Sequence, residues 1–523
     1  MRTPSPPAIA PPSAPQADHQ SSRDNMALYG VELTLAYSNF RPLPESHGLR
    51  ISIQLQLDNR QSFLELSQTE TIFDLPTSSF TQKSSIPYRF DGAQLIRFRA
   101  LRVTDESERL FGVEGEVDVP LAALVCSPLQ IPLSFPSGLV LNAQVRIPPT
   151  NSDYVRLQFV GEHLKSYNNY PLGAYFIVVI VSERRRLLLY KSEIIRSKDA
   201  KWAPFRVPMH PMESGGNLQV HVFNSNTNAQ DSLIGYFVTT LSQLMRGTGS
   251  GNTYMLMDQS GARRSDKLLV ELKSVERDSG PSFFDVVRSG CDLRPSIAID
   301  FTASNGSPLN PASLHYIHPH EPGAYSRSLL HYLTPLSYHL RDQRMGALGF
   351  GAKVGPNLVM NNCFPLSAHG EQVSGVNGVL DAYRRASLAL QPFGPTQYAD
   401  VIYHTSQFAK ASVTIHMNAF FLQFIFTDGC SKMDARTVDA LVDASFTPMA
   451  VIFVLVGTKI ENPQRTKELD NVRAVQGHPL KHSDGRVAGR QVVIVLSEDD
   501  AEDGFGLVPL LIAQWKNLTE ASA

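Results

Sequence analysis

The stretch from Ile297 to Gly306 reads IAIDFTASNG, and the rest of the chain is organised around it. An apolar run ends there in Asp300, and the hydroxyl-bearing Thr302 and Ser304 follow two and four residues later. Mg²⁺ and Mn²⁺ prefer oxygen ligands, and open α/β sheets bind their ligands at the carboxyl ends of the strands. The stretch therefore indicates a cation site at a strand end, although a helix cap also explains an isolated match.

Two later segments favour the cation site. Phe420 to Phe426 is a second apolar run, which continues into Asp428, and Thr396 lies between the two runs in a turn ahead of a helical pattern. In this order the three segments resemble the metal-ion-dependent adhesion site of von Willebrand factor A domains. The resemblance implies that Mg²⁺ or Mn²⁺ is held, directly or through water, by Asp300, Thr302, Ser304, Thr396 and Asp428.

Longer segments around these residues resemble the A domain of copines. They are DFTASNGSP from Asp300, ALGFGAK from Ala347, GVNGVLDAY from Gly375 and GPTQYADVI from Gly394. Copines carry two C2 domains followed by one A domain. The resemblance therefore implies a multidomain chain with two antiparallel β-sandwiches and then an α/β doubly wound, Rossmann-like domain.

The order of sequence patterns agrees with this plan. A chain of 523 residues is too long for one core and predicts about three domains. After a Pro-rich tail at 1–26, predicted to be disordered, short alternating strands predict the first C2 domain at 27–147 and the second at 148–278. Near-continuous apolar strands that alternate with helical patterns predict the A domain at 285–518. Within it, the polar stretch Glu461 to Arg490 is predicted to lie on the surface.

Composition narrows the class of protein. A hydrophobic content of 42% and a net charge of −2 are typical of a folded protein without a general attraction to nucleic acid, so no nucleic-acid partner is expected. Four cysteines without paired spacing predict neither a disulfide framework nor a zinc site. With no signal-peptide or membrane-span pattern, we expect a cytoplasmic protein.

Calcium binding is expected to be largely lost from the C2 domains. KWAPFRVP from Lys201 and SLIGYFVTTLSQL from Ser232 resemble the second copine C2 domain, and C2 domains usually hold Ca²⁺ with about five Asp carboxylates. In the second domain the loop ligand positions fall on Asn224, Asn226 and Ser232, with Asp231 one residue out of step. The first domain offers only scattered carboxylates, which are Glu45, Asp105, Glu106 and Glu108. Insertions that hide the true ligands are the alternative.

A basic segment offers another route to membranes. Arg184, Arg185 and Arg186 separate two predicted strands of the second C2 domain, and Lys191 follows. On one exposed face, each would add roughly 1 kcal/mol of attraction to an anionic leaflet. The alternative is a solvated hairpin whose charges prevent edge-to-edge aggregation.

The resemblance implies an adaptor. We expect peripheral association with anionic phospholipid at the inner face of the plasma membrane or other intracellular membranes, weakly dependent on calcium or independent of it, and recruitment of protein partners by the A domain. One alternative is a protein-binding scaffold without lipid binding. A metal-dependent phosphoryl-transfer enzyme is a weaker alternative, because the sequence lacks a phosphate loop, a kinase signature and a His or Lys base beside the site. No enzymatic activity is expected.

Overall fold

A computed structural model describes most of the chain. The described residues are 29–41, 47–57, 62–104, 109–148, 153–165, 172–181, 186–209, 212, 217–225, 231–264, 267–318, 320–429, 433–457, 472, 475–476, 480–497 and 508–522. The predicted tail at 1–26 lies outside them. Within them, no helix has both the length and the apolar character needed to cross a bilayer.

The first part of the chain is an antiparallel β-sandwich of two five-stranded sheets. One sheet has the order β5-β1-β10-β9 with β6 beside β1, and the other has the order β3-β2-β7-β8 with β4 beside β2. In β1, Val31, Leu33, Leu35 and Tyr37 alternate with less buried residues, so one face of the strand packs into the core. The elements are β1 Tyr29–Ser38, β2 His47–Gln56, β3 Leu64–Gln68, β4 Ile72–Phe73, β5 Ser78–Ser79, β6 Ser84–Tyr88, β7 Leu95–Thr104, β8 Leu110–Pro120, α1 Leu121–Cys126, β9 Ile131–Ser134 and β10 Val140–Arg146.

A second antiparallel sandwich follows. Its sheets have the orders β14-β11-β19-β18, with β15 beside β11, and β13-β12-β16-β17. The prediction of an N-terminal region built from antiparallel sheets is confirmed for both sandwiches. The elements are β11 Asp153–Glu162, β12 Ala174–Val181, β13 Arg186–Lys191, β14 Ala200–Lys201, β15 Phe205–Pro208, β16 Asn217–Asn224, β17 Ser232–Thr239, α2 Leu241–Leu244, β18 Thr253–Met255 and β19 Leu269–Ser279.

The last part of the chain is an α/β domain around the sheet β24-β21-β20-β27-β28-β29, in which β25 also pairs with β21. The strands from β21 to β29 along this order run parallel, and β22, β23 and β26 form a small separate sheet. The elements are α3 Phe283–Arg288, β20 Asp292–Asp300, α4 Ala324–Ser337, β21 Arg344–Phe350, β22 Ala352–Val354, β23 Val359–Asn361, β24 Phe364–Pro365, β25 Gln372–Ser374, α5 Gly375–Ala389, β26 Gln391–Pro392, α6 Ala399–Thr414, β27 Ala419–Thr427, α7 Ala435–Ala444, β28 Met449–Leu455, β29 Val493–Ser497 and α8 Val508–Ser522.

Helices cover both faces of this parallel sheet. On β20, Ile297 and Ile299 belong to the core that contains buried residues of α4, α5 and α8, whereas Ala298 belongs to the core of α6 and α7. Because both faces are buried, the strands are apolar without alternation. This explains the continuous apolar runs in the sequence.

The α/β domain packs against both sandwiches. Arg288 at the end of α3 donates to the backbone oxygens of Ser127 and Val145 in the first sandwich. Gln514 on α8 donates to the backbone oxygen of Leu188 in the second sandwich, 3.1 Å away. The described part of the stretch from 461 to 490 contains buried residues, including Val472 and Arg490, which are 0% and 6% exposed. The prediction that this stretch lies on the surface is therefore wrong for these residues.

Candidate metal centre

Two carboxylates end neighbouring parallel strands. Asp300 is the last residue of β20, and Asp428 directly follows β27, which pairs with β20 in parallel. Parallel neighbours end at the same edge of a sheet, so the two carboxyl groups lie near each other. Both residues are 0% exposed.

Every oxygen of the Asp300 carboxylate accepts hydrogen bonds from the chain. Oδ1 accepts from the backbone nitrogen and the Oγ1 of Thr302, at 2.9 and 2.6 Å. Oδ2 accepts from Thr427 Oγ1 at 2.6 Å. These bonds hold the carboxylate in one orientation at the strand end.

Three hydroxyls line up beside this carboxylate. Thr302 Oγ1 donates its hydrogen to Asp300, so it acts as the acceptor for Thr396 Oγ1 at 3.2 Å. Ser304 Oγ lies 3.1 Å from the same Thr302 Oγ1. Thr396 reaches this position although it lies 94 residues later in the chain. The structure thus brings Asp300 and all three predicted hydroxyls into one connected group.

The electrostatics of the two carboxylates favour a cation. Burial, and after it the charge of Asp428, raise the pKa of Asp300, while hydrogen bonds from Thr302 and Thr427 lower it by less. Two carboxylates held together away from water repel each other. A divalent cation between them would relieve this repulsion and allow both to remain ionised.

The chemistry of the donors fits a hard cation. The group supplies two carboxylates and three hydroxyls, which are oxygen ligands of the kind that Mg²⁺ and Mn²⁺ bind. Within the described ranges, no cluster of three or more His, Cys, Asp or Glu residues is suited to a metal. A cation at this site therefore depends on the threonine and serine hydroxyls as well as on the carboxylates.

A buried histidine behind the site was missed by sequence reasoning. His315 Nε2 lies 2.8 Å from the backbone oxygen of Asp300, which can only accept, so Nε2 carries the proton. Its Nδ1 therefore accepts from the hydroxyl of Tyr383 at 3.1 Å. Burial lowers the pKa of His315 to about 4, so the ring is neutral at pH 7. The spacing of His315 from the predicted ligands matches no motif. The only sequence signal for it is a polar residue within a buried segment.

A glycine makes room for the site. Gly351 has φ +76°, and a Cβ there would lie 2.3 Å from Thr302 Cγ2. Only a residue without a side chain allows the chain after β21 to pass this close to Thr302. The sequence ALGFGAK contains this glycine, but nothing in it indicates the contact with Thr302.

In the second sandwich, the positions predicted to have lost calcium ligands make other contacts. Asn224 is fully buried, and its Oδ1 accepts from the backbone nitrogen of Gly173 at 2.7 Å. Asp231 forms an ion pair with Lys481 of the α/β domain, with 2.8 Å between Oδ1 and Nζ. Ser232 is the first residue of β17, and Asn226 lies outside the described residues.

The proposed basic patch is only partly described. Arg184 and Arg185 lie outside the described residues, and for Arg186 only the backbone, at the start of β13, is described. The ammonium of Lys191 lies 5.4 Å from the centre of the Tyr175 ring, and burial lowers its pKa. In the first sandwich, the carboxylates predicted from the loops all lie outside the described residues; they are Glu45, Asp105, Glu106 and Glu108.

The fold and the site together define a class of protein: two antiparallel sandwiches joined to an α/β domain with buried oxygen donors at its carboxyl edge. Residues 313–504 match the family model of the copine domain. The chain therefore contains a copine domain in this segment. The matched segment contains Thr396 and Asp428, whereas the DFTAS segment with Asp300 precedes it.

Solved structures similar to this chain include C2 domains. One described as BON1-C2B is 17% identical, with a TM-score of 0.22, over 25% of this chain and 94% of that one. A pair of C2 domains from Extended-Synaptotagmin 2 is 11% identical, with a TM-score of 0.21, over 53% of this chain and 100% of that one. Human GIVD cytosolic phospholipase A2 is 12% identical, with a TM-score of 0.18, over 63% of this chain and 45% of that one. At these low scores, the comparison with known proteins rests on the copine domain at 313–504.

Proposed function

We propose that the protein is an adaptor that associates with phospholipid membranes through C2 domains and recruits protein partners through a von Willebrand factor A-like domain. One observation carries the proposal: the oxygen donors of Asp300, Thr302, Ser304 and Thr396 lie together at the carboxyl edge of the parallel sheet, beside Asp428. This arrangement suits a metal-ion-dependent adhesion site.

In this proposal Mg²⁺ or Mn²⁺ is held by the two carboxylates and the three hydroxyls. The bound cation supplies positive charge to which a carboxylate of a protein partner can bind. Residues of the chain position the ligands of the cation. Thr427 and the backbone of Thr302 keep the Asp300 carboxylate in place. Burial excludes water from the carboxylates and so strengthens the attraction to a cation.

We propose binding rather than catalysis. His315 lies against the site, but both ring nitrogens are engaged, one by the backbone oxygen of Asp300 and one by Tyr383. A neutral histidine with a pKa of about 4 and no free nitrogen is unsuited to act as a general base at pH 7. Metal-dependent phosphoryl transfer therefore stays the weaker alternative. Nucleotide hydrolysis that is abolished by Asp300→Ala would favour it.

The membrane part of the proposal places the protein in the cytoplasm, at the inner face of the plasma membrane or at other intracellular membranes. Asn224 and Ser232 supply no carboxylate at two expected calcium-ligand positions, and Asp231 is engaged by Lys481. Lipid binding is therefore proposed to depend weakly on Ca²⁺ or not at all. A scaffold without lipid binding is the second candidate, because the ion pair ties this end of the second sandwich to the α/β domain.

Liposome co-sedimentation tests the membrane part. The wild type and a variant carrying Arg184→Ala, Arg185→Ala and Arg186→Ala are sedimented with phosphatidylserine vesicles, first in excess chelator and then in Ca²⁺. We expect binding in both conditions that falls with salt and with the triple substitution. Binding that requires Ca²⁺ would mean that a carboxylate cluster in the loops still holds the ion. Lack of binding in both conditions would favour the scaffold.

Recruitment is tested by the dependence of captured proteins on the cation and on Asp300. Immobilised wild type and Asp300→Asn are compared in Mg²⁺ and in chelator, with Asp342→Asn as the matched control, because Asp342 is an exposed carboxylate far from the site. We expect partners that are retained in Mg²⁺ by the wild type and the control only. Partners that bind equally to Asp300→Asn would contradict an adhesion site.

A further inference from the structure

A cavity of about 520 Å³ opens between the second sandwich and the α/β domain. Its sandwich wall comes from β11, β13 and β15 and includes Arg156, Phe205 and Arg206, while its opposite wall includes Arg490, Gln514 and Asn517. The volume lies within the range of small-molecule sites. The residues that line the cavity in the described structure include arginines, a lysine and amides, but no carboxylate.

Arg490 is a buried cation at this cavity. Its guanidinium donates to the backbone oxygens of Thr447, Met449 and Gln491 and lies 5.4 Å from the centre of the Trp515 ring. Burial lowers its pKa to about 9, so it remains charged at pH 7. Among the described residues it forms no ion pair, and its Nε has no hydrogen-bond partner. A buried charge without a counter-charge is costly, and an anionic ligand would supply one.

Two residues of the cavity wall, Gln514 and Asn517, carry buried acceptors without partners in the described structure. The amide nitrogen of Gln514 donates to the backbone oxygen of Leu188 at 3.1 Å. The amide nitrogen of Asn517 donates to the hydroxyl oxygen of Tyr154 at 3.0 Å. Their remaining oxygens, Gln514 Oε1 and Asn517 Oδ1, are buried and have no hydrogen-bond partner in the described structure. Carbonyl oxygens accept only, so they are suited to hydroxyl groups of a ligand.

The sandwich wall adds positive charge and an apolar surface. Arg156 and Arg206 stand directly opposite each other on β11 and β15, and both are exposed. Arg206 is held by Asp278 at 2.7 Å, and the charge of Asp278 acts more weakly on Arg156. The ammonium of Lys191, which also lines the cavity, is directed at the ring of Tyr175. Phe205 is buried and stacks on Tyr190, with 4.2 Å between ring centres. Arg156 and Arg490 are therefore the cations for a ligand, with an apolar surface between them.

We propose that this cavity binds a phosphorylated polyol. Its phosphate lies between Arg490 and Arg156, because the positive charge of arginine attracts phosphate oxygens and its N–H groups donate to them. Its hydroxyls donate to Gln514 Oε1 and Asn517 Oδ1, and any apolar substituent packs on Phe205. The phosphate ester of a small polyol and the head of a single-chain phospholipid share this chemistry. The site is separate from the cation site, and it shares Lys191 with the basic segment proposed to contact membranes.

Calorimetric titration of the full chain tests the proposal. The probes are glycerol 3-phosphate and octanoyl lysophosphatidic acid below its micelle concentration. We expect saturable one-to-one binding of at least one of them, and the preferred probe identifies a soluble or a lipid source. Arg156→Gln is expected to weaken binding about tenfold, which is typical for loss of one charge-assisted hydrogen bond. Arg490 also supports the backbone near β28, so its substitution is left out.

Two further variants separate the cavity from surface charge. Leu518→Trp, on the α8 wall, keeps every charge but fills the space, and is expected to abolish binding. Arg344→Gln removes an exposed arginine elsewhere on the α/β domain and is expected to bind like the wild type. The proposal would be overturned if neither probe bound the wild type saturably. It would also be overturned if Arg156→Gln and Leu518→Trp both bound with unchanged affinity.

Discussion

Lys481 of the α/β domain lies with its ammonium 2.8 Å from Oδ1 of Asp231 in the second sandwich. The other carboxylate oxygen accepts from the hydroxyl of Tyr175 at 2.9 Å. The side chains of Lys481 and Asp231 are 18% and 9% exposed, so water screens the pair little. A lysine of the same chain thus engages a carboxylate next to the loop position where a C2 domain would hold Ca²⁺.

Replacement of Lys481 by Met is therefore expected to destabilise the protein by about 3 kcal/mol, because it removes the cation that is paired with the buried Asp231 carboxylate. Thermal unfolding of the full chain measures the loss. The double variant Lys481→Met and Asp231→Asn removes both charges and should recover most of the stability. Equal stability of Lys481→Met and the wild type would contradict the role of this pair between the domains.

Asp300→Asn is expected to raise the melting temperature measured in chelator, because it removes one of two buried carboxylates that repel each other. A pKa difference of one unit corresponds to about 1.4 kcal/mol, and we expect a gain of at least this size. Addition of Mg²⁺ should stabilise the wild type and Asp342→Asn but not Asp300→Asn. A variant that is less stable than the wild type in chelator would show that the carboxylates do not repel each other.

Gly351→Ala is expected to weaken the cation site, because the new Cβ would overlap the side chain of Thr302. Gly355 is the matched control: it has a similar φ of +72°, but a Cβ there meets no atom within 4 Å. Both substitutions should cost about 1 kcal/mol of backbone strain. Only Gly351→Ala should also reduce affinity for Mg²⁺ in calorimetry. Similar affinities of the two variants would show that Thr302 does not need this space.

His339 predicts a pH dependence of stability. Its Nδ1 donates to the backbone oxygen of Pro335, so its Nε2 accepts from the hydroxyl of Tyr88 in the first sandwich at 2.6 Å. Burial lowers the pKa of His339 to about 4, below the ordinary value of 6.5. The folded state therefore resists protonation, and its stability is full above pH 6.5 and falls as the pH drops towards 4.

The size of this effect is up to about 3 kcal/mol, from the difference between the two pKa values. His339→Gln can make both hydrogen bonds without titrating. Melting temperatures measured between pH 7 and 4 should thus fall less steeply for His339→Gln than for the wild type. Parallel curves would mean that His339 is protonated in the folded protein without cost.

The sequence predicts well that Asp300 and Asp428 come together, whereas the bound cation stays a prediction. Asp300 and Asp428 follow apolar runs, and runs of that kind form neighbouring parallel strands whose ends meet at one edge. The local sequence pattern is therefore enough to predict the positions of these two residues. Thr396 was placed only through resemblance to a family, because its contact with Thr302 joins segments 94 residues apart.

Contacts between domains were not predictable. Periodicity shows which face of an element is buried, but it does not show which other element covers that face. Lys481 and Arg490 lie in a polar stretch, so the sequence favours the surface, whereas the structure packs them against the second sandwich and into the α/β domain. The burial of His315 was not predictable for the same reason, because its hydrogen-bond partners come from β20 and α5.

A titration with Mn²⁺, followed by electron paramagnetic resonance of the free ion, tests whether Asp300 and Asp428 hold a cation. We expect one bound Mn²⁺ per wild-type chain at the site of Asp300 and Asp428. Asp300→Asn and Asp428→Asn should each lose this ion, whereas Asp342→Asn should retain it. Absence of tightly bound Mn²⁺ in the wild type, or equal binding by all four proteins, would contradict a cation site at this edge of the sheet.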